Sequence, residues 1–325
     1  MRIPDKLVER CLFLLATSSV VILALITIFI FREGSPLLFK VGPGRFFSTD
    51  WHPTQGQYGI ALMIVGSGVV TAGALLIGVP FGLACAIVLA EMAPARARAI
   101  LKPAIEILAG IPSVVYGFIG IVVLLPWIRA HLGGAGASAL AGSIILGIMV
   151  LPTIIGISVD ALQAVPRSYR DGALALGATE WQAIWRVVLP AARSGIVAAV
   201  ILGMGRAVGE TMAVIMVAGN SVQMPHSPLD SVRTLTANIA LEMGYAAGDH
   251  RAALFATGIV LFVIIMILNA GANLARGSSR ARVARHAAAP AAASLPPPAK
   301  TPRAPLPQRP ESDEAEAATV KREAL

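Results

Sequence analysis

The chain is short of charge. Only 14% of its 325 residues are Asp, Glu, Lys or Arg, against roughly 25% in an ordinary soluble domain. It has two cysteines, Cys11 and Cys85, both inside apolar segments. They form no disulfide framework and no metal-ligand cluster. None of the five lysines follows a glycine, so there is no G-x-x-x-x-G-K-[ST] phosphate loop. H-E-x-x-H and G-x-S-x-G are also missing. A chain that uses ATP without such a loop must draw on another subunit for its hydrolysis. The net charge is +8, but the basic residues sit in loops and in a C-terminal tail. They make no nucleic-acid patch.

What fills the chain is apolar length. Hydrophobic residues are 56% of it and the mean hydropathy is +0.75. Runs at about residues 11–31, 61–90, 105–125, 139–157, 191–217 and 252–275 each reach the roughly 20 residues that cross a bilayer. The first is too long for a signal h-region and has no A-x-A-like cleavage site after it, so it is expected to stay as a span. The expected class is an all-α polytopic membrane protein with six transmembrane helices. Pro80, Pro112 and Pro152 fall inside spans, where neighbouring helices can satisfy the freed carbonyls.

Orientation follows from Lys and Arg. With the N-terminus in the cytoplasm, nineteen basic residues fall inside and six outside, or ten against six without the tail. The bias predicts both termini in the cytoplasm. From about Gly277 the composition turns to Ala, Pro and Arg, with Pro296, Pro297 and Pro298 in a row. Such a stretch cannot bury a core, so residues 277–325 are expected to be a disordered cytoplasmic tail.

One charge stands where charge is costly. Arg206 falls near the middle of the almost uncharged stretch 191–219. A guanidinium there costs about 2.5–3.5 kcal/mol on insertion scales, so such residues face a bundle interior or an aqueous path. Glu210 follows at i+4 and is expected on the same helix face. Two readings stand. The pair lines a path for an anion, or it is an ion pair that locks the packing of the bundle. Gly203, Gly205, Ala207 and Gly209 around it are small enough for close helix approach or for bare backbone at a ligand. Ser113 and Tyr116 follow the Pro112 kink. They either present hydroxyls to the path or bond locally within their own helix region.

The loop at residues 160–189 is too polar to span and too patterned to be disordered. Pro166 is placed to open a helix over 168–176. Thr179 and Gln182 have capping-box spacing for a second. Trp181, Ile184, Trp185 and Val188 recur at i, i+3, i+4 and i+7, which predicts one shared face, with Pro190 closing that helix and opening the next span. The two tryptophans suit either a headgroup-level anchor or a groove on a partner protein.

Here the chain resembles a known family. Asp171-Gly172-Ala173, Gly177, Val187, Leu189 and Pro190 match in spacing the E-A-A…G…I-x-L-P loop of ABC importer permeases. Asp171 stands for Glu, Gly172 for Ala and Val187 for Ile. The run Gly205-Arg206-Ala207-Val208-Gly209-Glu210-Thr211 is similar to the G-R-A-x-G-E-T segment of phosphate importer permeases. Ile111-Pro112-Ser113 with Tyr116-Gly117 is similar to their I-P-S-x-x-Y-G segment. Residues 46–53 with Tyr58-Gly59 resemble the PstC-type subunit, with His52 where an acid is common.

The resemblance implies the type I importer fold, with no cofactor and no catalysis by this chain. Arg206, Glu210, Thr211, Ser113 and Tyr116 would line the substrate path. Asp171, Ala173, Gly177, Trp181, Trp185, Leu189 and Pro190 would couple to an ATPase. The implied partners are a PstA-type second permease, PstB-type ATPase subunits, a PstS-type extracytoplasmic phosphate-binding protein, phosphate and membrane lipid. Residues 1–60 would carry the first span and an outer segment, 61–276 the permease domain, and 277–325 the tail. The readings that compete are a permease for sulfate or molybdate, a membrane enzyme acting on lipid phosphates, and a signalling scaffold that works through the tail.

Overall fold

The computed structural model describes residues 5–288. Six helical stretches among them are long and apolar enough to cross a membrane: Glu9–Val41, Ala61–Met92, Ser113–His131, Ala139–Gln163, Glu180–Gly209 and Gly248–Gly271.

Helix α1 (Asp5–Val41) presents most of its apolar side chains outward. Its far end is held by Gly34, where an added Cβ would lie 2.7 Å from the Ala256 backbone nitrogen of the last helix. A short α2 (Pro43–Phe46) leads into a two-stranded hairpin, β1 (Trp51–His52) and β2 (Gln57–Tyr58), with Trp51 opposite Tyr58. Phe46, Trp51 and Tyr58 are buried against Leu37, Met63 and Leu254, so the hairpin closes one end of the bundle.

Helix α3 (Ala61–Ile87) continues through a π turn (Val88–Met92) and is followed by α4 (Ala95–Gly110). Then come α5 (Ser113–Ile119), a second π turn (Gly120–Leu124), α6 (Leu125–His131) and α7 (Ala139–Gln163). Helix α7 is the most enclosed of the spans. Glycines set its close approach to α3: a Cβ on Gly73 would meet the Ser143 side chain, on Gly78 that of Val150, and on Gly82 that of Ile154, all under 3.0 Å. Without a hydrophobic drive between helices in lipid, such close packing is what holds them together.

The next elements are α8 (Arg167–Ala175), α9 (Glu180–Ala183), a third π turn (Ile184–Val188) and α10 (Leu189–Gly209). Short α11 (Met212–Val217) and α12 (Leu235–Glu242) precede α13 (Gly248–Ala288).

Two expected spans are displaced. The run at 105–125 is broken at Ile111 and Pro112, both in extended conformation. Its first part belongs to α4, which buries none of its residues, and the span starts at Ser113. The run at 191–217 is broken at Glu210. The tail boundary also shifts: α13 runs to Ala288, carried by the Ala and Arg residues there, which are good helix formers. The remainder of the expected tail, 289–325, lies outside the described residues.

Candidate functional site

Helix α10 ends at Gly209, and Glu210 takes extended backbone angles, φ −69° and ψ 131°. Arg206 therefore lies in the last helical turn, where the carbonyl end of the helix dipole favours a cation. The expectation of Arg206 and Glu210 on one helix face is corrected here. Glu210 has left the helix, and among the described residues no hydrogen bond or ion pair reaches the half-buried Arg206 guanidinium. Glu210 is committed elsewhere. Its Oε1 accepts from the Ala213 amide at 3.3 Å, capping the start of α11, and its carbonyl accepts from Thr236 Oγ1 at 2.9 Å. The Thr211 hydroxyl turns back to the Gly209 carbonyl at 3.3 Å. A low-propensity glycine, a carboxylate that accepts from the Ala213 amide and a hydroxyl that donates to the Gly209 carbonyl together make a break cheaper than a continued helix.

The small residues of α10 divide by face. Gly203 and Ala207 pack inward; a Cβ on Gly203 would meet Ile154 at 2.9 Å, and Ala207 is buried. Gly205 and Gly209 have no atom within 4 Å of an added Cβ. The bare backbone of that face adjoins Arg206.

The break after α4 is braced by Tyr116. Its buried hydroxyl donates to the Leu108 carbonyl at 2.8 Å, across Ile111 and Pro112. The hydroxyl proton of Tyr116 is thus committed locally, as the local reading has it. Ser113 is half-buried and makes no hydrogen bond among the described residues. Helix α5 lies against α11, where a Cβ on Gly117 would come 3.1 Å from the Ala213 Cα. The halves that follow the two breaks therefore pack on each other.

The loop between α7 and α10 is a helical hairpin. Helix α8 spans Arg167–Ala175, within a residue of expectation at each end, and Pro166 precedes it. Gly177 ends it with φ +84°, while the Ala178 amide bonds the Ala173 carbonyl at 3.1 Å and the Gly177 amide bonds Leu174 at 2.9 Å. This is the Schellman pattern, in which a left-handed glycine satisfies the last carbonyls. The Thr179–Gln182 capping box is present in both directions. Pro190 does not close the second helix. It sits in the first turn of α10, and the wide π turn just before it absorbs the hydrogen bond that proline cannot donate.

The same π turn splits the expected face. Ile184 and Val188 are each 2% exposed, while Trp181 is 55% and Trp185 48% exposed. The two indoles meet edge to face, centroids 5.7 Å apart. Tyr169 and Leu176 are also exposed, so the hairpin carries a surface of large apolar groups. Asp171 is exposed, Ala173 and Leu189 are half-buried, and Pro190 is exposed. The hairpin is tied to α3 by Arg170, whose Nη1 lies 2.9 Å from Glu91 Oε2.

A third cluster escapes the sequence reading. Glu242, almost fully buried, accepts from Trp51 Nε1, Arg233 Nη1 and His250 Nε2 at 3.1, 2.6 and 2.8 Å. It joins the hairpin, the segment after α11 and the start of α13 at the end opposite α8. An acid closing the otherwise uncharged Leu235–Glu242 helix is the one local signal for it.

Residues 78–276 match the family model for the binding-protein-dependent transport system inner membrane component. The chain belongs to this family. It is 45% identical over 266 residues to a probable ABC transporter permease protein, YqgH, of Bacillus subtilis, covering 79% of this chain and 85% of that one. It is 37% identical over 275 residues to the phosphate transport system permease protein PstC of Xylella fastidiosa, covering 78% and 85%. A chain of a bacterial alginate ABC transporter, solved with its alginate-bound periplasmic protein, superposes with a TM-score of 0.55 at 16% identity over 82% of this chain and 95% of that one. That likeness shows the fold alone.

The protein is thus a type I ABC importer permease, a multi-pass inner-membrane subunit that performs no bond chemistry. Members of this family work with a substrate-binding protein and a separate ATPase, so the reading as a lipid-phosphate enzyme falls.

Proposed function

We propose that this permease imports inorganic phosphate as the PstC-type half of a translocation path. One observation carries the reading: a half-buried arginine with no hydrogen-bond or ion-pair partner among the described residues stands beside bare glycine backbone at a helix break, in a chain 34–37% identical to several proteins named PstC. Arg206 cannot deprotonate, so its charge needs an anion or water at all times. Its planar fork engages two oxygens of a tetrahedral anion at once. Glu210 is already committed to the Ala213 amide. Phosphate therefore reaches Arg206 without displacing a carboxylate, and Glu210 and Thr211 act by holding the break open. Ser113, whose hydroxyl has no hydrogen bond among the described residues, is the second candidate contact.

Both termini and the α8 hairpin lie in the cytoplasm in this reading, as the Lys and Arg bias supports. The exposed Tyr169, Leu176, Trp181 and Trp185 dock a PstB-type ATPase. A PstA-type permease completes the path, and a PstS-type protein delivers phosphate at the end closed by the Trp51 hairpin. Nucleotide-driven motion of the docked hairpin then alternates access to Arg206.

The test is uptake of labelled phosphate by Arg206→Ala and Arg206→Lys complexes that still hold the ATPase. Removing one partner of a buried, hydrogen-bonded charge pair costs about 2 kcal/mol or more, so Arg206→Ala should lose roughly 30-fold or more in uptake. Arg206→Lys should fall between. Wild-type uptake by both variants would sink the path reading. Inhibition by unlabelled sulfate or molybdate as strong as by phosphate would reassign the anion.

A further inference from the structure

The α8–α9 hairpin has two connections to the spans, and they differ in kind. On one side α9 runs without interruption through its π turn into α10, so any displacement of α9 is carried covalently to the helix that bears Arg206. On the other side stands α8. It buries none of its own residues and rests mainly on α9 and the π turn after it. Among the described residues, a charge contact ties it to the end of the second span: Arg170 Nη1 to Glu91 Oε2, 2.9 Å.

The receiving end of that contact is built to take a load. Glu91 lies in the π turn that ends the second span, with only 9% of its side chain exposed. The turn is gripped from behind by Arg98 of α4. Its Nε donates to the Leu89 carbonyl at 2.8 Å, and its Nη2 donates to those of Ala90 at 2.9 Å and Ala93 at 3.4 Å. These donors satisfy carbonyls that the helix end leaves without partners. Above the turn, α3 is seated along α7 by Gly73, Gly78 and Gly82. A pull on Glu91 is therefore delivered to a fixed helix end and not dissipated in a fraying turn.

We propose that the Glu91–Arg170 ion pair is the link by which the docked hairpin moves the second span, with both residues acting as positioning residues. The inference rests on the docking reading of the hairpin given above. The covalent route moves α10, and the ionic route moves α3. Access can alternate only if the two move together, because α7 packs against both and they touch each other. An ion pair suits this role. Enclosed and hydrogen-bonded, it is directional, and removing one partner leaves a poorly solvated charge, so it breaks less readily than an exposed pair.

The experiment uses the whole complex in proteoliposomes, with labelled inorganic phosphate and ATP. Glu91→Gln and Arg170→Gln should each retain the ATPase on purification and hydrolyse ATP. Each should carry roughly 5- to 10-fold less phosphate per ATP than wild type, the lower range of a coupling free energy. The swap of Glu91→Arg with Arg170→Glu should regain most of the loss, which a merely steric role would not predict.

A second readout does not depend on the anion. Cys85 is exposed on α3, so a nitroxide there, in a Cys11→Ser background, reports on the second span. Its spectrum should change on ATP addition in wild type, stay unchanged in each single variant, and change again in the swap. Wild-type coupling and a wild-type Cys85 response in both single variants would overturn the link. So would a swap no better than the singles, or loss of the ATPase from the singles, which would make the pair a docking contact. A wild-type complex that captures no ATPase would remove the docking reading and this inference with it. One that captures the ATPase but carries no phosphate would refute the anion alone, and the Cys85 signal would still decide the link.

Discussion

Trp51 and Glu242 stand 191 positions apart and meet in a forked hydrogen bond, with the indole Nε1 3.1 Å from each carboxylate oxygen. With Arg233 and His250 on the same carboxylate, the loop between the first two spans is tied to the loop between the last two. Glu91 and Arg170 do the same at the other end. The two ties place the even and odd loops at opposite ends, as six alternating crossings require.

The Glu242 cluster predicts a graded loss of stability. Glu242→Ala leaves Arg233 enclosed without its carboxylate and should cost about 3–5 kcal/mol, the range for breaking a buried pair. Trp51→Phe removes one donor but keeps a ring in place, and should cost about 1.5–3 kcal/mol. Thermal unfolding of the purified protein in detergent checks the order. Equal midpoints for Glu242→Ala and wild type would show that the cluster carries no stability.

Gly177 predicts a local defect. Its φ of +84° is open to glycine and strained for other residues. Gly177→Ala should cost about 1–2 kcal/mol at the end of α8. Nothing lies within 4 Å of an added Cβ, so no clash adds to it. Protease cleavage in the 176–179 turn should rise while the melting temperature of the bundle holds. A fall of the whole melting curve would mean that the hairpin is part of the core.

Asp230 gives a pH dependence. Its Oδ2 accepts from the His226 and Ser227 amides, each at 2.8 Å, and these bonds hold its carboxyl below the ordinary carboxylate value of 3.8. The sign follows from the direction. A pKa lowered on folding contributes stability that is present above the unfolded value and lost as the pH falls through the folded one. Protection of the His226 and Ser227 amides from hydrogen exchange, taken relative to Asp230→Asn, should therefore hold at neutral pH and vanish on acidification below about 3.8. Protection that shows no dependence on acidification relative to Asp230→Asn would contradict it.

Much of this is legible in the amino-acid sequence. Apolar length gave the six spans, and the Thr179–Gln182 spacing gave a capping box that is present. The errors share one cause: periodicity assumes an uninterrupted helix. At Pro112 and at Gly209-Glu210 the apolar run continues while the backbone does not, because composition registers burial and not hydrogen-bond direction. The same assumption put Arg206 and Glu210 on one face and all of Trp181, Ile184, Trp185 and Val188 on another. The Glu242 cluster was unreadable for a different reason. Its members Trp51, Arg233 and His250 are brought together only by tertiary packing.

The brace across the first break separates two roles for Tyr116. If its hydroxyl met the anion, Tyr116→Phe would weaken binding and raise KM. The hydroxyl instead bonds the Leu108 carbonyl at 2.8 Å from a buried position, and so fixes the angle between α4 and α5. Losing it should cost about 1 kcal/mol, the usual net worth of such a bond. That cost falls on the conformational step, so the maximal rate of phosphate uptake should drop roughly fivefold with KM unchanged. Gly117→Ala attacks the same geometry from the other side, since its Cβ would meet Met216 Sδ at 2.6 Å and the Ala213 Cα at 3.1 Å, prying α11 from α5. It too should lower the rate and spare KM. Gly110→Ala, with open space around it, should do neither. Initial rates across a phosphate series for the three variants decide the matter, and a raised KM in Tyr116→Phe with an unchanged maximal rate would move that hydroxyl back into the path.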